Sequence, residues 1–201
     1  MDNSTPVSRY DPYASRYSRF EWIDRFLFRG YRMRLLRTVQ GNVLDVGIGT
    51  GLNLPHYSSS CTLTGIDGSK EMLHYARERA RHLGKKITLV MGDAAHLPFT
   101  NASFDCVVDT LGLCSYSSPL RALREMKRVC KKKGKILLLE HGVSSFSFMR
   151  KLQVWREPRH SALVGCHLLR NHEQLVQQAG LRIVRIERGF FGIVYLIEAV
   201  P

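Results

Sequence analysis

The sequence predicts a doubly wound α/β fold, a seven-stranded and mostly parallel sheet with helices on both faces. Three observations carry the prediction. Short apolar runs alternate with segments of helical periodicity along most of the 201 residues, as in a sheet whose parallel strands are joined by crossover helices. The first run, Asn42–Val46, passes directly into the glycine-rich turn Gly47-Ile48-Gly49-Thr50-Gly51. The second, Leu63–Ile66, ends at Asp67, whose carboxylate can accept both hydroxyls of a ribose. Glycines without a Cβ let the backbone turn sharply and approach a ligand.

The elements follow in order. Residues 1 to about 20 carry Ser, Arg, Tyr, Pro6 and Pro12 and read as a loop, an arm or the start of a lid. Trp22, Ile23, Phe26, Leu27 and Leu35 recur at helical spacing with Arg25, Arg29, Arg32 and Arg34 between them, predicting a basic amphipathic helix over 20–38. Packing on its own domain is the preferred reading of that helix, with a lid or a membrane contact as the alternatives. A helix is expected after Gly51. Ser69 is the N-cap of the next, which runs to His82 and stops at Gly84. Strands follow at Ile87–Met91 and Phe104–Asp109, then a helix over Pro119–Cys130 and a strand over Lys135–Glu140. Lys131, Lys132, Lys133 and Lys135 read as cations complementing that helix's C-terminus. Residues 144–170 break the rhythm, helical in places and interrupted by Pro158 and Gly165. A helix over Glu173–Ala179, closed by Gly180, precedes a hairpin-like pair, Arg182–Arg188 and Ile193–Val200.

Composition bounds the function. The length suits one domain with a full core, and no apolar run approaches the ~20 residues that span a bilayer. Five cysteines (Cys61, Cys106, Cys114, Cys130, Cys166) show no C-x-x-C pair, and eight histidines show no ligand pair, so no metal is expected. The odd cysteine count and the lack of a secretory signal favour an intracellular setting, cytoplasmic first, with mitochondrial or membrane-peripheral placement as alternatives. Arginines near the N-terminus suit a transit peptide, but Asp2, Asp11, Glu21 and Asp24 argue against it. A net charge of +13 allows nucleic acid, an anionic membrane or an acidic partner.

The glycine spacing selects among cofactors. A dinucleotide fingerprint G-x-G-x-x-G would place its third glycine at Leu52, whereas this chain reads Gly47, Gly49, Gly51. Four motifs in order then resemble the class I S-adenosylmethionine-dependent methyltransferases, over roughly residues 10–200. They are Leu44–Gly51, Gly65-Ile66-Asp67, Gly92-Asp93-Ala94 and Phe104–Asp109. Asp93–Phe99 with Ser103-Phe104-Asp105 is similar to the quinone-biosynthesis C-methyltransferases and other methyltransferase-11-type enzymes, as is Tyr10–Tyr17. Leu111–Ser115, Glu140-His141 and Gly165-Cys166 resemble the membrane-associated thiol S-methyltransferases and mitochondrial Oms-type proteins. The chain departs from these in lacking their N-terminal membrane anchor.

The resemblance implies a Rossmann-like fold with S-adenosyl-L-methionine as cofactor. Residues 1–38 would be an arm and lid helix, 39–201 the cofactor-binding domain, and 144–170 a substrate-side insertion. It assigns Asp45, Gly47, Gly49, Gly51, Asp67, Gly68, Asp93, Ala94 and Asp109 to the cofactor, Asp67 at the ribose and Asp93 at the adenine amino group. Tyr10 and Tyr17 would close the pocket. Transfer from a sulfonium is an in-line displacement with the nucleophile held about 3 Å from the methyl carbon. His141, with an ordinary pKa near 6.5, is a candidate general base and Asp109 a candidate substrate-orienting group; structural roles for both stay open. Cys114 is a candidate pocket residue. Asp109-Thr110-Leu111-Gly112 lacks the Asn/Asp-Pro-Pro-Tyr of base amino methyltransferases, and no glutamate pair follows as in arginine methyltransferases. A small, apolar acceptor (thiol, quinone-like or lipid) is the expectation, with a nucleic-acid methyltransferase or a non-catalytic assembly factor as alternatives.

Overall fold

In the computed structural model, residues 11–201 are described, with side chains from residue 21 onward except 23, 163 and 164. Twelve elements follow in chain order: α1 (Asp11–Leu36), β1 (Gly41–Val46), β2 (Cys61–Asp67), α2 (Lys70–His82), β3 (Ile87–Met91), β4 (Phe104–Thr110), α3 (Pro119–Val129), β5 (Cys130–His141), α4 (Ser147–Val164), α5 (His172–Gln178), β6 (Arg182–Gly189) and β7 (Val194–Val200). The strands form one seven-stranded sheet in the order β3-β2-β1-β4-β5-β7-β6. Pairings are parallel from β3 to β5, and β7 lies antiparallel to both β5 and β6.

Successive strand residues point to opposite faces, and both faces are apolar. Leu44, Val46, Val107, Ile136, Leu138, Tyr195 and Ile197 join one buried cluster with α3 and α5. Val43, Val108, Leu137, Leu139 and Leu196 join another with the C-terminal end of α1 and with α2. A sheet buried on both sides reads as continuous apolar runs, which is how β1, β4 and β5 appear in the sequence. Chain order reverses between β1 and β4, so a crevice opens beyond their C-terminal ends.

The structure corrects several local expectations. The stretch 11–20, read as loop or arm, is helical and belongs to α1. Tyr10 lies outside the described residues. No α-helix follows Gly51: left-handed Gly51 and Pro55 leave only turns and the short 3-10 helix Leu54–His56. Lys131, Lys132, Lys133 and Lys135 belong to β5, which starts directly after α3; the last turn of α3 carries Lys127 and Arg128. Within 144–170, α4 runs through Pro158 and ends at Gly165, whose φ is 70°. Of the apolar residues expected to pack along α1, Leu35 is buried, whereas Trp22, Phe26 and Leu27 are exposed. Among the described residues no helix is long and apolar enough to cross a membrane.

Candidate active site

A cavity lies at the crevice between β1 and β4. Its wall comes from the turn after β1 (residues 46–50, 52 and 53), the end of β2 with the start of α2 (66–69 and 72), the loop after β3 (92–95) and the loop after β4 (110–112 and 115–118). Arg32 of α1 closes one side.

Two glycines of the turn are required by their neighbours. A Cβ on Gly47 would stand 2.5 Å from the Tyr116 hydroxyl, and one on Gly51 2.7 Å from Leu54 and 3.3 Å from the backbone of Ala76 in α2; both positions have positive φ. Gly47 thus lets the turn approach the β4 loop, and Gly51 lets it pack on α2. Asp67 joins the turn after β1 to the start of α2, its carboxylate accepting the Gly49 N–H at 2.8 Å and the Ser69 N–H at 2.9 Å. Ser69 Oγ in turn accepts the Met72 N–H at 3.2 Å and caps α2. Asp93 accepts the Ala95 N–H at 2.9 Å and so shapes the loop after β3.

The cavity therefore gathers Gly47, Gly49, Asp67, Gly68, Asp93 and Ala94. It does not gather Asp45, Gly51, Asp109 or His141, and the side chain of Tyr17 lies outside the described residues. Asp45 sits beneath the turn, fully buried, accepting two hydrogen bonds from Asn53 Nδ2 at 3.1 and 3.0 Å and one from the Tyr57 hydroxyl at 2.9 Å. Burial raises its pKa to about 7, against the opposing effect of those bonds. Arg32 reaches this network through Asn53 Oδ1 at 3.1 Å and also pairs with Asp24.

Asp109 is likewise one layer below the cavity. It accepts the Gly112 N–H at 3.1 Å, while Glu140 accepts the N–H groups of Gly112 and Leu113 at 3.0 Å and that of Cys114 at 3.3 Å. Burial pushes both carboxyls upward; the charge of Asp109 raises Glu140 further, while the hydrogen bond from Glu140 draws Asp109 back down, so Glu140 is the partner that holds the proton. Their role is to hold the loop after β4, with Arg170 donating to the carbonyls of Leu113 and Tyr116.

His141, at the end of β5, turns away from the cavity toward Cys166: its Nε2 lies 2.9 Å from Cys166 Sγ. Cys114 lies off the cavity wall as well, its thiol 3.3 Å from the Leu111 carbonyl. Hydrogen bonding from Cys114 and then His141 holds the Cys166 thiol down to about 4, against desolvation. Residues that sequence reasoning missed at the wall are Arg32, Met72, Tyr116 and the serines 117 and 118; the Leu111–Ser115 motif was the nearest signal for the last three.

Residues 44–138 match a methyltransferase-domain family of the methyltransferase-11 type. The mitochondrial methyltransferase OMS1 of Saccharomyces cerevisiae is 28% identical over 94% of this chain and 45% of its own length. The ubiquinone/menaquinone biosynthesis C-methyltransferase UbiE of Blochmanniella pennsylvanica is 35% identical over 55% of this chain and 46% of its own. The chain thus spans about half the length of these curated relatives. Thiol S-methyltransferase TMT1B of Rattus norvegicus is 28% identical over 87% of this chain and 73% of its own. Among solved structures, a SAM-dependent methyltransferase of Thermotoga maritima superposes with a TM-score of 0.74 at 20% identity, covering 95% of this chain and 97% of that one, a likeness of fold.

Proposed function

We propose, on the premise that this chain belongs to the methyltransferase-domain family, that it is an S-adenosylmethionine-dependent enzyme that methylates a small apolar acceptor, a thiol before a quinone-like phenol or a lipid. The residues at the crevice fit that cofactor: a glycine turn with a bare approach, Asp67 for the ribose hydroxyls, and Asp93 with Ala94 for the adenine end. The cofactor supplies a methyl group already activated on a sulfonium. What remains for the protein is to bind, to exclude water and to align the acceptor. The loop 110–118, held by Asp109, Glu140 and Arg170, forms the wall on which an acceptor would be aligned.

One observation carries the choice of a thiol. Among the described residues, the cavity wall holds no histidine, lysine or glutamate, and its two aspartates, Asp67 and Asp93, stand at the cofactor end. A thiol with a pKa near 8.5 ionises with little help, whereas a phenol near 10 needs a base. The likeness to the thiol S-methyltransferase adds support, because a match over 87% of this chain includes residues 144–170.

The test is S-adenosylhomocysteine release by the purified chain offered a small alkyl thiol and, separately, a quinone-like phenol. Turnover with the thiol alone is expected. Turnover with the phenol alone would move the acceptor to the quinone branch, and failure to bind S-adenosylmethionine would overturn the proposal.

A second reading concerns delivery of the acceptor. Phe148 and Trp155 on α4 are 77% and 70% exposed, and Phe146, Phe190 and Phe191 are exposed beside them. The Phe191 ring meets those of Phe146 and Phe190 at 6.2 and 5.6 Å. Arg150, Lys151, Arg156 and Arg159 lie on the same helix. Aromatic side chains among cations suit an anionic lipid interface, from which an apolar acceptor would enter.

A further inference from the structure

Three metal-binding side chains meet beside the loop that lines the cavity. Cys114 comes from that loop, His141 from the end of β5, and Cys166 from the turn after α4. One ligand atom from each lies within 4.8 Å of the other two. Both cysteines are buried and His141 is half-buried.

We infer that Cys114, His141 and Cys166 bind a thiophilic divalent metal ion, zinc being the ion whose coordination they match. Two thiolates and an imidazole are a soft donor set of the kind that selects zinc. Zinc–sulfur bonds of about 2.3 Å and zinc–nitrogen bonds of about 2.0 Å place tetrahedral ligand atoms about 3.5–3.8 Å apart, so the three groups need to move by about an ångström or less. Packing alone does not explain the cluster. A buried cysteine can serve as a small apolar residue, but an imidazole nitrogen 2.9 Å from one thiol, with a second thiol alongside, is a polar convergence. A Cys114–Cys166 disulfide would need an oxidant and would leave His141 without a role. The ion would pin the end of α4 to the strand ends and to the loop that carries Leu111, Gly112 and Ser115 at the cavity wall. The inference is independent of the acceptor's identity.

The test is metal content of the chain purified under reducing conditions, read by mass spectrometry, with cobalt replacement read by absorption. About one zinc per chain is expected, with a thiolate-to-cobalt charge-transfer band and tetrahedral ligand-field bands. Cys114→Ser and Cys166→Ser should each retain at least about tenfold less metal, while Cys61→Ser, away from the cluster, should keep it. If either cluster variant fails to fold, the cobalt spectrum of the unaltered chain decides. A folded, reduced chain that takes up neither ion would overturn the inference, as would a metal-free chain whose Cys114 and Cys166 are joined in a disulfide.

Discussion

Asp67 is the residue on which cofactor recognition turns in the proposed function. Its two oxygens already accept the Gly49 and Ser69 N–H groups, so the carboxylate both shapes the glycine turn and faces the cavity with it. Asn in its place keeps the size and loses the charge, and its amide nitrogen meets a backbone donor. A charged acceptor's hydrogen bonds contribute about 1.5–3 kcal/mol, so Asp67→Asn should weaken S-adenosylmethionine binding by roughly 10- to 100-fold, and the backbone donor that loses its acceptor should lower the melting temperature by a few degrees. Calorimetric titration checks this, and unchanged affinity would remove Asp67 from the site. At the residue scale, part of the cavity wall was legible in the sequence and part was not. Asp67, Gly47 and Asp93 were legible because each follows a strand end within a local motif. Asp45 and Asp109 were assigned to the cofactor from equally local motifs, but each side chain points below the wall. Residues one apart on a strand face opposite sides, and a string of letters does not say which side is the cavity.

At the scale of elements, α4 is the least conventional piece. Its inner face is latched to the body: Gln153 accepts the Ser144 N–H at 2.8 Å and donates to the Gly142 carbonyl at 2.8 Å, and Glu157 accepts the Leu168 N–H at 2.7 Å. Its outer face exposes Phe148, Leu152 and Trp155, three and four residues apart and therefore on one side. Helix α1 is divided in the same manner. Glu21 accepts a hydrogen bond from Thr50 Oγ1 at 2.9 Å and pairs with Arg79, and Arg34 pairs with Glu187, while Trp22 and Phe26 face outward. If α4 meets lipid, the chain should co-float with vesicles containing anionic phospholipid and not with neutral ones. Phe148→Ser combined with Trp155→Ser should cut the bound fraction several-fold and leave S-adenosylmethionine affinity unchanged. Equal flotation of the double variant would assign those aromatics another role. The apolar letters of α1 were visible at helical spacing, and those of α4 only as a segment helical in places. Their exposure was not, because the same spacing serves a face turned inward or outward.

The whole molecule carries the cost of the carboxylates buried beneath its crevice. Asp45, raised to about 7, keeps its proton in the folded chain over a range where the unfolded chain, near 4, has released it. The folded state then binds more protons between about pH 4 and 7. This contribution to stability is full below pH 4 and is lost as pH rises through 7, by on the order of 1 kcal/mol per pH unit. Asp109, raised to about 6, acts in the same direction. Asp45→Asn cannot titrate. The melting temperature of the unaltered chain should therefore fall relative to that of the variant as pH rises from 4 to 7.5; a difference constant across that range would exclude titration of Asp45. The two-faced core that encloses these groups was itself legible, since continuous apolar strands such as Val107-Val108 and Ile136–Leu139 need cover on both sides.

By itself the sequence determined the alternation of strands and helices, the doubly wound class and the cofactor motif, all written in neighbouring residues through periodicity, glycine spacing and capping. Only the tertiary structure decided what stands where. It drew Arg32 into the cavity wall, set Glu140 under the loop after β4, and turned His141 away from the cavity to meet Cys166 and Cys114. Those encounters join segments some 25 residues or more apart. No local pattern encodes such a meeting; it follows from sheet order and from the path of α4 across the strand ends.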